Sequence, residues 1–421
     1  MLCGLALAGL PLRFAEAVAG LSLEQALRET LDGNPDLLVL RDDRRVSWAA
    51  WWAAQRLPAA LNPTVSVQVS PWTFDPQTGE PLKTILTLTW LQPVEINGAQ
   101  QYRVAQARAE YGLAQWQFLA AQFHALTDTF RLYETAVYRR ERYQLAEKLA
   151  TFQRELVETT RRRVESGLTT SADLLLTETE AQAVEQSLRL SREEYSAATA
   201  ALQNHLALPE TAVPLEVRDP FLLPESVPDE ESLLPKILSC HPDILSVQAQ
   251  VSAAQAAWRL SRAERIPPVN VGPIYEHNES GATFYGFAVE SSVPLFNTGR
   301  EIAYRREMEY RRELTRLEQQ RRQIRVRLQV ALERLRHAEA QCADARRARA
   351  AMEASISKMQ ALYQAGEANL LTLLDVRRRL LEAGYNELEI MWNLTQVYAD
   401  FLEATGGAGL LEEAPDATSD R

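Results

Sequence analysis

Thr64-Val65-Ser66-Val67-Gln68-Val69-Ser70 and, beyond a turn-rich stretch from Pro71 to Pro81, Thr84-Ile85-Leu86-Thr87-Leu88-Thr89-Trp90 alternate apolar and polar side chains. A period of two is the signature of a strand with one apolar and one polar face. The pattern returns later in the chain: Val269 to Tyr275, a turn at Asn278-Glu279-Ser280-Gly281, then Thr283 to Val293. Strands are expected at about 64–70, 84–91, 269–275 and 283–293. Isolated hairpins are marginal in water, and their open edges invite aggregation. A closed barrel removes both difficulties, and in a membrane it is the only sheet that satisfies every backbone group. Four strands cannot close a useful pore, so several chains must pool them. Trp72, Phe74, Trp90, Tyr275, Phe284 and Tyr285 fall near expected strand ends or hairpin tips, where aromatic residues anchor a barrel at the bilayer interface. The bland alternative for these strands is a small soluble sheet with ordinary aromatic packing.

Working outward, the two hairpins belong to two copies of one unit. Asn34-Pro35-Asp36-Leu37-Leu38 returns as His241-Pro242-Asp243-Ile244-Leu245, and Trp51 returns as Trp258. Gln92-Pro93-Val94 with Gly98 matches Val293-Pro294-Leu295 with Gly299. Arg163 to Gly167, followed by Asp173-Leu174-Leu175, matches Leu362 to Gly366, followed by Thr372-Leu373-Leu374. The offset falls from 207 to 201 to 199 while the order holds, which needs only small gaps. Such a duplication favours a ring or tube of pseudo-equivalent elements over one asymmetric cleft.

After each hairpin the chain turns helical. From Gly98 to Ser166 there is no proline, which reads as one helix of roughly 100 Å at 1.5 Å per residue. Trp116, Phe123, Phe130 and Val137 recur every seven residues, with Leu119, Leu126 and Tyr133 on the adjoining seam. In the second copy Leu317, Ile324, Ala331, Ala338, Ala345, Met352 and Met359 do the same, which is coiled-coil periodicity. Expected boundaries are a signal peptide at 1–19, a first repeat at 20–208, a Pro-rich linker at 209–228, a second repeat at 229–404 and a flexible tail at 405–421. Within the repeats the long helices are expected at about 98–166, 171–205, 299–365 and 370–403. The fold class is mainly α with a small β part.

Composition excludes other classes. A net charge of −11 argues against a nucleic-acid partner, because phosphate binding needs a concentrated positive face. The Arg161-Arg162-Arg163 and Arg377-Arg378-Arg379 runs have acidic residues close by and read as solvated helix faces. Cys3, Cys240 and Cys342 show no metal or disulfide spacing, and the five histidines are scattered singly. No phosphate loop, nucleophile elbow or zinc-protease motif is present. The chain is therefore not expected to be an enzyme, and no cofactor or metal is expected. Residues Leu2 to Leu12 are apolar or small, and Ala17-Val18-Ala19 before Gly20 has the form of a signal-peptidase site. Cys3 precedes most of the apolar run, which argues against lipidation. No other stretch approaches the roughly 20 apolar residues of a spanning helix.

Signal sequence, duplicated helix-strand-strand-helix units and paired long helices reversing at Gly167 and Gly366 together resemble the TolC-like outer-membrane efflux family over about residues 21 to 404. The resemblance implies a homotrimer, each chain giving four strands to a 12-stranded outer-membrane barrel among outer-membrane lipid. The long helices would form an α-helical barrel across the periplasm. The implied partners are a periplasmic adaptor (membrane fusion) protein and an inner-membrane transporter, whose solutes the channel conducts passively. Arrangement and size hint at the heavy-metal-resistance branch, although nothing in the sequence ligates a metal. The reversals become periplasmic tip loops, with Gly167, Leu168, Thr169, Gly366, Glu367 and Ala368 toward the adaptor. Asp173 matches a family acid that holds neighbouring tip helices, and Asp375 one that projects into the pore. Helix capping and the helix dipole are the local alternatives for both acids. The competing reading of the whole chain is a periplasmic coiled-coil scaffold without channel activity.

Overall fold

The computed structural model describes residues 20–70, 74, 77–79, 84–209, 215–224, 230–364 and 370–407. The expected signal peptide, Trp72, Gly366, Glu367, Ala368 and most of the tail lie outside the described residues. Helices α1 (Leu23–Gly33) and α2 (Pro35–Ala54) lead into β1 (Thr64–Ser70) and β2 (Ile85–Val94), then α3 (Ala99–Glu165) and α4 (Ser171–His205). The order repeats with α5 (Glu230–Cys240), α6 (Pro242–Ala263), β3 (Val269–His277), β4 (Thr283–Ser291), α7 (Arg300–Gln364) and α8 (Leu370–Thr405). Two compact units emerge, and each draws on both copies. One gathers α1, Ala125–Val227 and Glu333–Asp400; the other gathers Pro35–His124, Pro228–Leu332 and the chain from Phe401.

The first unit is helical. Its core joins Ala26 of α1, Tyr133, Ala136 and Val137 of α3, Leu202 of α4 and Leu206 beyond it, and Val217 of the expected linker. That linker is therefore not a bare tether between residues 215 and 224. Leu21 and Val217 form a parallel bridge, with Leu21 N–H donating to Glu216 O at 2.7 Å and Arg218 N–H donating to Leu21 O at 3.0 Å. Arg140 clamps the strap by donating to Val217 O at 2.6 Å and Asp219 O at 2.9 Å. Tyr133, fully buried, donates to Leu21 O at 2.9 Å and Asp219 Oδ2 at 3.2 Å; burial pushes its phenol up to about 12. Next to it Glu134 is also fully buried, with Oε1 accepting from Leu222 N at 3.3 Å and Oε2 unsatisfied. Burial pushes its carboxyl up to about 8.

Antiparallel ion pairs lash α3 to α4: Arg139–Glu194 at 2.6 Å, Arg154–Glu185 at 2.5 Å and Arg161–Glu178 at 3.0 Å. Each is partly exposed and contributes little alone. Arg349, which interrupts the apolar seam of α7, is accounted for by its 2.7 Å bond to the largely buried Glu387 of α8. Along α7 the heptad seam is buried at Ile324, Leu328, Ala331, Leu335, Ala338, Cys342 and Ala345, so the repeating small residues do line a helix contact.

The second unit carries the sheet. Its two repeats reveal themselves in one detail: Trp51 stacks on Tyr111 at 5.8 Å, and Trp258 stacks on Tyr310 at 5.7 Å, with an interplanar angle of 9° in both. The four strands lie in sequence order, each antiparallel to the next. β2 runs on to Val94, where it pairs with Val269 of β3, although β1 begins only opposite Leu91. Past that point one side of β2 has no strand to donate to, so Pro93 is tolerated. Trp90 consequently sits inside β2 and not near its end. Between β2 and β3 the backbones approach so closely at Gly272 that a Cβ there would stand 1.8 Å from Trp90 O, which restricts this position to glycine.

Candidate functional site: the sheet faces and the helix reversals

The strand register decides which side chains share a face. Val65 pairs with Trp90, Val67 with Leu88, and Leu88 with Tyr275, which in turn pairs with Tyr285. Val69, Leu86, Phe287 and Val289 join this apolar face by alternation. Tyr275 and Tyr285 meet edge to face at 5.5 Å. The opposite face holds Thr64, Ser66, Gln68, Thr87, Thr89, Asn270, Glu276 and Glu290 with Gly272, Gly286 and Ala288, interrupted by Ile85, Leu91, Ile274 and Phe284. Phe284 thus pairs with Glu276 on the polar face, away from the other expected anchor residues. Phe74 is described as an exposed residue between the first two strands.

Among the described residues both outer strands leave one edge unpaired in the sheet. The apolar face is bare: Val65, Val67, Tyr285, Phe287 and Val289 all stand exposed, Tyr285 at 83%. An open, apolar, two-edged sheet is an aggregation template in water. Among the described residues no helix is long and apolar enough to cross a membrane.

At the first reversal α3 ends in a glycine cap. Leu168 N–H donates to Arg163 O at 2.8 Å and Gly167 N–H to Val164 O at 2.9 Å, with Gly167 at φ +71°. This bond pair requires a left-handed residue, which glycine supplies without strain. Thr170 then caps α4: its hydroxyl accepts from Asp173 N–H at 3.2 Å, while Asp173 Oδ2 accepts from Thr170 N–H at 3.1 Å. The hydroxyls of Thr169 (2.6 Å) and Thr170 (2.8 Å) also donate to that oxygen and hold the Asp173 carboxyl below its ordinary range. Local capping thus engages Asp173 directly. Leu168 is exposed at the turn.

Asp375, early in α8, is half-exposed and salt-bridged within its own helix to Arg379 at 3.0 Å and Arg378 at 3.7 Å. It lines a cavity of about 440 Å³ together with Gln153 of α3, Glu180 of α4, and Arg377 and Tyr385 of α8. Arg377 lies over the Phe152 ring with one buried N–H group unsatisfied, and burial pushes its guanidinium down to about 10. Nothing in the sequence marks Arg377 as the buried member of its run, since Arg377-Arg378-Arg379 reads as a uniform solvated face.

The scattered histidines do not all stay apart. His124 Nε2 lies 2.9 Å from Asp243 Oδ1, Asp243 N–H donates to His241 Nδ1 at 3.2 Å, and His241 Nε2 lies 3.1 Å from Glu403 O. Burial pushes the His241 imidazole pKa down. For Asp243 burial acts upward, but the bond and charge of His124 win and hold its carboxyl low. The cluster ties α3 to the start of α6.

A sheet with one lipid-compatible face, joined to very long heptad-patterned helices, defines the fold of an outer-membrane channel. The chain belongs to the outer membrane efflux protein family, whose sequence profile matches residues 26–208 and 233–407. Solved structures share the fold. The outer-membrane channel OprN is 18% identical, with a TM-score of 0.74 over 91% of this chain and 90% of that one. The open state of the MtrE outer membrane channel of Neisseria gonorrhoeae is 16% identical, with a TM-score of 0.72 over 91% and 89%. The CmeC outer membrane channel of Campylobacter jejuni is 14% identical, with a TM-score of 0.70 over 91% and 85%. No curated protein matches the sequence. Family membership places the chain among outer-membrane efflux proteins.

Proposed function

We propose that three copies of this chain pool their strands into a 12-stranded outer-membrane barrel and form a passive conduit for solutes. The carrying observation is the sheet: an exposed apolar face, a mostly polar face, and unpaired edges on β1 and β4. Pairing β1 of one chain with β4 of the next satisfies those edges and turns the apolar face to lipid. The polar face, with Glu276 and Glu290, lines the lumen. The long helices continue the conduit on the periplasmic side, and the reversal at Gly167 to Thr169, with its counterpart at Gly366 to Ala368, meets a periplasmic adaptor protein served by an inner-membrane transporter. The conduit opens by a small change in coiled-coil packing of the paired helices.

Asp375 is proposed to face the lumen and Asp173 to fix the tip geometry. The pairing of Asp375 with Arg378 and Arg379 moderates any ring of carboxylates it forms. Purified protein in planar bilayers tests the reading. Stepwise conductance from an assembled trimer is the expected result; a protein that stays in aqueous solution without detergent and gives no conductance would overturn it.

A further inference from the structure

We propose that the junction between sheet and helices in the second repeat holds the anionic headgroup of a phospholipid from the leaflet nearest the helices. The inference rests on the barrel reading above for the direction of the membrane. A cavity of about 350 Å³ opens here, lined by Trp258, Arg262, Arg265, Arg300, Tyr304 and Glu307. Arg262 lies over the Trp258 ring at 5.5 Å, and Arg265 Nε donates to Thr298 O at 3.3 Å. Neither these two nor Arg300 forms an ion pair with a described residue, and Glu307 is engaged by Arg311 at 2.6 Å. Arg305, Arg306, Arg311 and Arg312, further along α7, all have glutamate partners, whereas Arg300 has none among the described residues. Planar guanidiniums around a void suit a phosphodiester, which offers them paired oxygens.

The apolar surroundings choose a lipid over a soluble phosphate. The apolar alternation of β4 runs on past Ser291 through Val293 and Leu295, and Phe296 follows, fully exposed. Ile266, next to Arg265, is exposed as well. These exposed side chains offer acyl chains an apolar surface next to Arg265, which a free anion would not use. The first repeat has the same grammar, Arg56-Leu57-Pro58 answering Arg265-Ile266-Pro267, with exposed Leu57 and Ile96. There Arg56 lies over Trp52, as Arg262 lies over Trp258, but Arg103 is paired with Glu95.

Native mass spectrometry of the detergent-extracted full chain tests the site, using phosphatidylglycerol and phosphatidylethanolamine with identical acyl chains. The expected result is preferential retention of phosphatidylglycerol, weakened roughly fivefold for each arginine removed in the series Arg300→Gln, Arg265→Gln and Arg262→Gln. Leu295→Ser with Phe296→Ser should weaken both lipids and leave the headgroup preference standing. No preference in the wild-type protein would overturn the site, and that comparison needs no variant to fold. Displacement of the lipid by millimolar inorganic phosphate, with the serine variants unaffected, would assign the cavity to a free anion and overturn the lipid. Conductance of the same preparation separates the two readings: a conducting trimer without headgroup preference removes only this site, and loss of the trimer removes the barrel.

Discussion

Replacing Glu134 by glutamine isolates a pH-dependent cost in the strap that packs on α3. The carboxyl is fully buried and makes one bond, to Leu222 N–H, leaving Oε2 unsatisfied. Burial is the largest cause of its raised pKa; the bond from Leu222 N–H acts downward, the charge of Asp219 upward and that of Arg140 downward. The folded protein therefore keeps Glu134 protonated up to about 8, whereas the unfolded chain releases the proton near 4.5. Between those values the folded state holds the extra proton, so stability is greatest below the lower value and falls as pH rises through the upper one. A rise from 4.5 to about 8 corresponds to a loss of about 5 kcal/mol as an upper bound, reached only if the strap does not relax. Glutamine keeps the acceptor for Leu222 and never ionises. Thermal unfolding of the detergent-extracted protein, followed by far-ultraviolet circular dichroism from pH 5 to pH 9, reads the difference. The two proteins should unfold together near pH 5, and the wild-type should fall progressively below Glu134→Gln toward pH 9. Parallel curves across the whole range would show that this carboxyl is ionised and solvated in the folded protein, and would refute the reasoning.

Further outcomes follow from the same geometry. Gly272→Ala puts a methyl group against the Trp90 carbonyl and should abolish the heat-sensitive trimer band on a denaturing gel, while Gly286→Ala, which meets nothing within 4 Å, should preserve it. Thr170→Ala removes the α4 cap and should cost about 1 kcal/mol of stability, read as a lowered unfolding midpoint. Arg379→Ala should raise the cation selectivity of single channels by unmasking Asp375, and Asp375→Ala should lower it; reversal potentials in a salt gradient decide, and no change in either variant would remove Asp375 from the lumen.

Strands and long helices were legible because their periods are clean. Val65, Val67 and Val69 alternate over the whole of β1, and the heptads of α7 bury Ile324 through Ala345 as spaced. Gly167 was legible for the same local reason, since a helix stop followed by a threonine cap is written in neighbouring residues. What could not be read depends on partners far apart in the chain. Tyr111 and Tyr310, the stacking partners of the duplicated tryptophans, fall inside helical runs where nothing marks them. Glu134 looks like any helix-surface acid until Leu222, 88 residues away, lies over it. Phe284 is expected among the interface aromatics from its place near a hairpin tip, yet it points to the face opposite Tyr285, and only the register with Glu276 assigns it. Trp90, expected near a strand end, lies inside β2 because the pairing of β2 with β3 carries the strand on through Pro93 to Val94.

The union of three sheets into one barrel is tested most directly by negative-stain electron microscopy of the detergent-extracted protein. The expected result is an elongated particle with three-fold end views, a detergent belt at one end, and a tube of about 100 Å set by the helix length. A rod that needs no detergent and shows no three-fold end view would contradict the barrel and leave the β1 and β4 edges to some other partner.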